Sequence, residues 1–318
     1  MRVVVTGGAG FIGGNLCRSL VTSGFEVVAF DDLSTGRVEN LDHSSTAALV
    51  RGSLLDAGAV RDVIAGADAV VHLGARPSVP KSIADPMRSH AVNVDGTMHL
   101  LEACRAMDPS PQVIFASSSS VYGANPTLPK HEALATLPRS PYAASKLAGE
   151  SYVLGYQATY GIPALAFRFF NVFGPLQRPD HAYAAVVPAF VASALAGRAL
   201  PVFGDGSQTR DFTFVDTVVE VITRALRERI VSPGPVNLAF GTRSSLMDVV
   251  ALLSDILGCH LETEHLAPRA GDVRDSQADN TTLRALFPDL QPVALRAGLE
   301  RTVEWMRTLG PVPDSPLG

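Results

Sequence analysis

Tyr142 and Lys146, one helical turn apart in "SPYAASK", form a pair able to take a proton from an alcohol. Ser140 suits a helix N-cap and Pro141 a first turn, so the two side chains fall at i and i+4 on one face. A free phenol ionises at about 10, too high for a base at neutral pH. An ammonium group one turn away favours the phenolate and brings its ionisation within reach. Alone, such a pair is common on any helix. A second set of hydroxyls, Ser117 to Ser120 in "FASSSSVYG", follows a run that reads as a buried strand, with no acidic residue before Tyr122.

The elements that must hold these groups are legible as a rhythm. Apolar runs "RVVVT", "EVVAF", "AVVHL", "QVIFA" and "ALAFRF" read as strands buried on both faces. Amphipathic stretches such as Phe11–Ser23 and Pro86–Met107 alternate with them as helices. That alternation predicts an α/β fold, a doubly wound parallel (Rossmann) sheet with right-handed crossovers. Beyond about Asn171 the rhythm loosens and Pro and Gly become frequent. Residues 1–170 plus 212–241 are expected to form the sheet domain. Residues 171–211 plus 242–318 are expected to form a smaller substrate-binding domain over its carboxyl edge.

Composition removes several classes of function. Of 318 residues, 47% are hydrophobic and 18% charged, enough to bury a sizeable core. A formal net charge of −5 gives no electrostatic case for nucleic acid or an anionic membrane. No apolar run has the length of a membrane span, and "MRVVVTGGAGFIGG" is too polar and too glycine-rich for a secretory leader. Cys17, Cys104 and Cys259 show no C-x-x-C spacing, which points to a reducing, cytoplasmic setting and no metal site.

The first strand runs into Gly7-Gly8-Ala9-Gly10-Phe11-Ile12-Gly13, a G-x-x-G-x-x-G variant of the dinucleotide fingerprint. Gly7 allows the tight turn, Gly10 lets a pyrophosphate approach the backbone, and Gly13 lets the helix sit against the strand. Asp31 ends the second strand, where a carboxylate binds both adenosine ribose hydroxyls and repels a 2′-phosphate. Asp32 follows, and no basic residue comes before Arg37, so NAD is the expected cofactor. Its positive nicotinamide ring would join Lys146 in favouring the Tyr142 phenolate, and Lys146 can also hold the nicotinamide ribose. Asp56, read as the end of the third strand, could contact adenine or cap a helix.

With the glycine turn, Asp31, the serine-rich strand end and Tyr142 together, the chain resembles the extended short-chain dehydrogenase/reductase family, and within it the nucleotide-sugar epimerases and dehydratases. The likeness runs through "TGGAGFIG", "DDLSTG", "VVHLGA", "NVDGT", "SSSSVYG", "YAASK", "RFFNVFGP", "GDGSQTRDF" and "RAGDVRDSQAD". It adds Leu73 and Ala75 to the NAD site and makes Ser118 the hydroxyl that bonds the sugar O4 beside Tyr142. It places Ser120 along the sugar, Asn171 near the sugar-linked phosphate, Arg210 and Arg269 on the pyrophosphate, and Asp272 near the uridine ribose. A homodimer built on Pro86–Met107 and Pro141–Tyr160 is implied in the same way.

The resemblance also narrows substrate and reaction. Ser276 stands where members confined to UDP-glucose and UDP-galactose often carry tyrosine, leaving room for a 2-acetamido group. "AYAAVVPAF", which includes Val187, and "SVPKSIADP" are similar to the branch acting on UDP-N-acetylglucosamine and UDP-N-acetylgalactosamine. That branch implies a sugar ring of Ser78, Ser118, Ser120, Asn171, Gln177 and Ser276, with Pro77 departing from its usual glycine. In the family, Tyr142 would take the 4-hydroxyl proton as the C4 hydride leaves, giving a 4-keto sugar. Familiar 4,6-dehydratases then use an Asp-Glu pair after the active-site Ser/Thr, where this chain has Ser119 and Ser120. The resemblance thus implies a UDP-N-acetylhexosamine 4-epimerase. A dehydratase using Lys81, His90 or Glu132, or a dinucleotide sensor without catalysis, is the alternative. Thr217 departs from a common Asp.

Overall fold

Val3 and Val5 of the strand Arg2–Thr6 enter one hydrophobic core, while Val4 between them enters another. Val71 and Val70, Ile114 and Val113, and Phe167 and Ala166 divide in the same way. Side chains alternate across a pleated strand, so unbroken apolar runs require helices on both faces. The computed structural model, which describes residues 1–41, 47–179, 185–267 and 275–310, has that arrangement.

Its main sheet has seven parallel strands in the order Val236–Leu238, Ala164–Phe169, Gln112–Ser118, Ala69–His72, Arg2–Thr6, Glu26–Asp31 and Ala48–Arg51. The order reverses direction at Arg2–Thr6, and a cleft opens beyond the carboxyl ends of the strands there. The glycine turn, Asp31 and Ser118 all sit at those carboxyl ends.

Two elements differ from the sequence reading. The third strand ends at Arg51, so Asp56 lies beyond it. There its carboxylate accepts the Gly58 and Ala59 amides at 3.0 Å and caps the helix Ala57–Ile64. The helix read as Pro86–Met107 is broken into Pro86–His90, a five-residue π turn Ala91–Asp95, and Gly96–Arg105. The π turn presents Asn93, whose Oδ1 accepts the Arg76 amide at 2.7 Å and whose Nδ2 donates to Ser145 Oγ at 2.9 Å. Hydrophobic periodicity cannot signal a polar bridge of that kind.

Beyond Asn171 the described residues make three small two-stranded pairings. Thr213–Phe214 pairs with Val172–Phe173, Thr209–Arg210 with Ser244–Ser245, and Leu200–Phe203 with Thr263–Leu266. Buried Asp211 ties this region together by accepting the Gly241 and Ala278 amides and the Thr242 hydroxyl. Thr217, the departure from a common Asp, accepts the Val293 amide at 3.1 Å. No helix among the described residues is long and apolar enough to cross a membrane.

Candidate active site

A cavity of about 760 Å³ runs along the carboxyl edge of the sheet. Gly7, Gly10, Phe11, Ile12 and Gly13 line one side of it. Gly7 has φ +68° and donates its amide to Phe30 O at 2.8 Å. A Cβ on Gly13 would lie 2.1 Å from Gly7 O, so only glycine lets the helix Phe11–Thr22 start that close to the strand. At Gly10 a Cβ would meet only Gly7 O, at 3.1 Å, and otherwise occupy open space. That helix has no side-chain cap, leaving its first amides to an anionic group in the cavity.

Asp31 and Asp32 line the same end with Ser34 and Thr35. Asp31 accepts the Ala9 amide at 3.0 Å and the Leu33 amide at 2.8 Å, which fixes its carboxylate at the cavity wall. Burial holds this carboxyl above the usual range, against the pull of the two amides. Leu73 and Ala75 also line the cavity, as do Gly52, Ser53 and Leu54. Asp56 is not among the lining residues. A glycine cradle that a Cβ would fill, next to a fixed carboxylate, fits a dinucleotide with a free 2′-hydroxyl.

Across the cavity stand Ser118, Tyr142 and Lys146. Ser140 Oγ accepts the Ala143 amide at 3.1 Å, and Ser82 Oγ accepts the Tyr142 amide at 3.0 Å. These two bonds fix the first turn of the helix Pro141–Tyr160. Tyr142 leaves that turn and Lys146 the next, on one face, with Lys146 Nζ 4.7 Å from the Phe115 ring centroid. Ser118 ends its strand beside Tyr142, and Ser120 Oγ donates to Ser118 Oγ at 2.8 Å.

The electrostatics depart from what the i, i+4 spacing predicts. Burial raises the Tyr142 phenol above its ordinary value, opposed by a hydrogen bond with Ser118. Burial also brings Lys146 down to about 8, opposed by the charge of Glu150. An apolar wall therefore outweighs the neighbouring ammonium among the protein's own groups. His72, wholly enclosed between Thr6 and Thr97, is driven down to about 3 and stays neutral.

The family model described as the NAD dependent epimerase/dehydratase family matches residues 3–239. The chain belongs to that family. Its cofactor is accordingly NAD, and it is an enzyme of the nucleotide-sugar epimerase/dehydratase type. A UDP-glucose 4-epimerase of Mycolicibacterium smegmatis is 39% identical over 318 residues, spanning 96% of this chain and 99% of that one. A solved UDP-N-acetylglucosamine 4-epimerase from Methanobrevibacter ruminantium, in complex with UDP-N-acetylmuramic acid, superposes with a TM-score of 0.91 at 35% identity, over 97% of this chain and 98% of that one. An NAD dependent NDP-hexosamine 5,6-dehydratase of tunicamycin biosynthesis superposes at 0.87 with 34% identity, over 96% and 98%.

In this epimerase/dehydratase the remaining sequence-predicted residues fall in several places. Asn171 lines the cavity with φ +31° and donates to Asp211 O at 3.3 Å. Gln177 donates its amide side chain to Val172 O at 3.3 Å, while its Oε1 is buried without a partner. Ser78 has φ +95° and caps the short helix Val79–Ala84. Arg210 pairs with Ser244, and the Ser276 amide donates to Thr209 O at 3.1 Å, so Ser276 sits one residue from Arg210 across that contact. Val187 is buried in the core at the start of the helix Val186–Leu195. Arg269 and Asp272 lie outside the described residues.

Of the alternative acids and bases, only Lys81 lines the cavity. His90 is exposed beside Asp95, and Glu132 accepts the Asn237 amide at 2.9 Å. Sequence reasoning missed Ser82 and Asn93, which hold the helix Pro141–Tyr160, because each looks like an ordinary polar residue until its distant partner is known.

Proposed function

We propose that this enzyme is an NAD-dependent UDP-N-acetylhexosamine 4-epimerase acting through a transient 4-keto sugar. One observation carries the choice of reaction. Among the described residues lining the cavity, the only carboxylates are Asp31 and Asp32, at the glycine-turn end. Ser119 and Ser120 occupy the turn just after the strand, where an acid pair for elimination would stand, and a hydroxyl is no base for a carbon-bound proton.

Gly7, Gly10, Phe11, Ile12, Gly13, Asp31, Asp32, Leu73, Ala75 and Lys146 are proposed to hold NAD. When bound, NAD supplies the acceptor for the C4 hydride. Tyr142 takes the 4-hydroxyl proton, Ser118 orients that oxygen, and Lys146 holds Tyr142 and the ribose beside it. Inversion requires that the turned keto sugar take the hydride back on the opposite face of C4, and Tyr142 would then return the proton to O4. Arg210 would face the diphosphate, for which a guanidinium suits. In this reading 1–170 plus 212–241 serve the cofactor and 171–211 plus 242–318 the nucleotide sugar.

Incubation with UDP-N-acetylglucosamine and NAD should give a product of unchanged mass with inverted C4, read by mass spectrometry and NMR. Loss of one water would replace the epimerase by a dehydratase, as in the tunicamycin relative. Absence of turnover on any nucleotide sugar would leave a sensor.

The small Ser276 beside the Arg210 strand supports the acetamido class. Ser276→Tyr is expected to lower kcat/KM for the acetamido sugar at least about tenfold while sparing UDP-glucose, as one misplaced group costs about 1–3 kcal/mol. Equal loss on both sugars would refute the gate.

Exposed Ile83, Met87, Tyr152 and Tyr160 on the helices Val79–Ala84, Pro86–His90 and Pro141–Tyr160 support a homodimer, and the lack of paired cysteines supports a cytoplasmic setting. Sedimentation should give twice the chain mass and cell fractionation a soluble pool; a monomer at micromolar concentration would remove the dimer.

A further inference from the structure

Below the proposed active site lies a buried ion pair that the reaction described above does not use. Glu150 is two turns beyond Tyr142 and one beyond Lys146 on the helix Pro141–Tyr160. Arg168 stands on the neighbouring strand Ala164–Phe169, directly beside Ser117. The Arg168 guanidinium donates to both Glu150 oxygens, at 2.6 and 3.0 Å, and both side chains are 4% exposed. Ser117 Oγ donates to the same carboxylate at 2.5 Å. One carboxylate is thereby held by two strands of the sheet, and one of those strands continues into Ser118.

We infer that Glu150, locked by Ser117 and Arg168, is a positioning residue that sets Ser118 against Tyr142 and keeps the charge beneath Lys146 balanced. This inference rests on Tyr142 being the base. A carboxylate bonded across two secondary-structure elements fixes their separation far better than apolar contact does, because bidentate geometry tolerates little sliding. The pair also joins the serine run by a second route, with the Arg168 guanidinium 4.7 Å from the Tyr122 ring centroid.

The charged and titratable groups around the pair come from every neighbouring element. Lys146 and Tyr142 lie on the same helix, and Arg168 faces it from the sheet. Tyr122, which burial raises, donates its hydroxyl to Asn237 Oδ1. Neutral His72 packs on Phe115 under Lys146, with ring centroids 5.6 Å apart. Glu132 reaches Arg168 only through its backbone carbonyl, at 3.5 Å. Within this set, Glu150 and Arg168 neutralise each other, so removing either leaves one unbalanced charge one helical turn from Lys146 and two from Tyr142.

The sign of the effect then depends on which partner is removed. Glu150→Gln leaves the guanidinium positive, which favours the phenolate and should move Tyr142 ionisation down by about half to one pH unit. Arg168→Gln leaves the carboxylate negative and should move it up by a similar amount, while the double variant returns close to the original midpoint. The measurement is the ultraviolet phenolate titration of the NAD-loaded protein, taken as the difference from its Tyr142→Phe counterpart. It needs no sugar, so it stands whichever nucleotide sugar is turned over and fails separately from the functional reading. Shifts in the same direction, or none, would overturn the inference, since lost packing alone moves both variants alike.

Ser117→Ala keeps both charges and removes only the bond to the strand. It is expected to leave the midpoint in place and lower kcat about three- to tenfold. Should the single charge variants fail to fold, the double variant and Ser117→Ala decide: full kcat in Ser117→Ala would overturn the positioning role.

Discussion

Tyr142→Phe is expected to abolish turnover, lowering kcat by about 10²–10⁴-fold or more, with NAD binding and thermal stability close to those of the parent. Phenylalanine fills the same space in the wall formed with Lys146 and Ser118, so nothing but the hydroxyl is lost. No other described hydroxyl in that wall can replace it: Ser118 already accepts from the Ser120 amide and hydroxyl, and a serine ionises far too high to act as base. The structure sharpens this expectation. Because burial, and not the neighbouring ammonium, dominates the Tyr142 phenol, the group is neutral in the protein alone and depends on charge brought in with the cofactor. Activity should therefore fall on the acid side, as Tyr142 retains its proton, and lowering Lys146 by further burial should carry that fall to higher pH, because a neutral amine no longer favours the phenolate. The kcat of both proteins across pH, beside NAD titrations, is the check. A Phe variant with measurable epimerisation would move the base elsewhere.

How much of this was legible in the chain depends on the range of the interaction concerned. Strands such as Arg2–Thr6 and Ala164–Phe169 emerged at their observed bounds because burial on both faces leaves a largely apolar run, interrupted in the second only by Arg168. The helix Pro141–Tyr160 was equally clear, its start written in Ser140 and Pro141. Local signals failed where a polar group answers to a distant one. Asp56 looked like a strand end because "GSLLD" is apolar, yet its carboxylate satisfies the next helix. The π turn around Asn93 exists to reach Arg76 and Ser145, neither of which is near in sequence. The serine run is the clearest instance. As a string, "SSSS" offers four similar hydroxyls. In the fold Ser117 bonds Glu150, while Ser118 faces Tyr142 and is itself held by Ser120. The difference comes from strand alternation meeting a helix some thirty residues away, and no window on the sequence contains both.

The glycine turn gives the second large effect, and here two substitutions of the same size should behave differently. At Gly13 a Cβ would sit 2.1 Å from Gly7 O and 2.8 Å from Gly8 Cα, both backbone atoms that cannot rotate away. Gly13→Ala must push the helix Phe11–Thr22 off the strand, disturbing the core through Leu16 and Leu20. Overpacking of that kind costs about 1–3 kcal/mol, which in a chain of this size lowers Tm by several degrees. NAD affinity should drop with it by at least about a hundredfold, because the amides that meet the pyrophosphate move too. At Gly10 the added Cβ would have only the Gly7 carbonyl near it, at 3.1 Å, so the fold can absorb it with a small adjustment. What it fills is the open side of the cradle, where the phosphates must approach. Gly10→Ala is therefore expected to lose NAD affinity by about tenfold or more while keeping its Tm within about a degree of the parent's without cofactor. Calorimetry and cofactor titration on the two variants separate fold from site. A Gly10 variant that binds NAD normally would mean that the phosphates do not cross this turn, and a Gly13 variant of unchanged Tm would mean that helix and strand have room the structure does not give them.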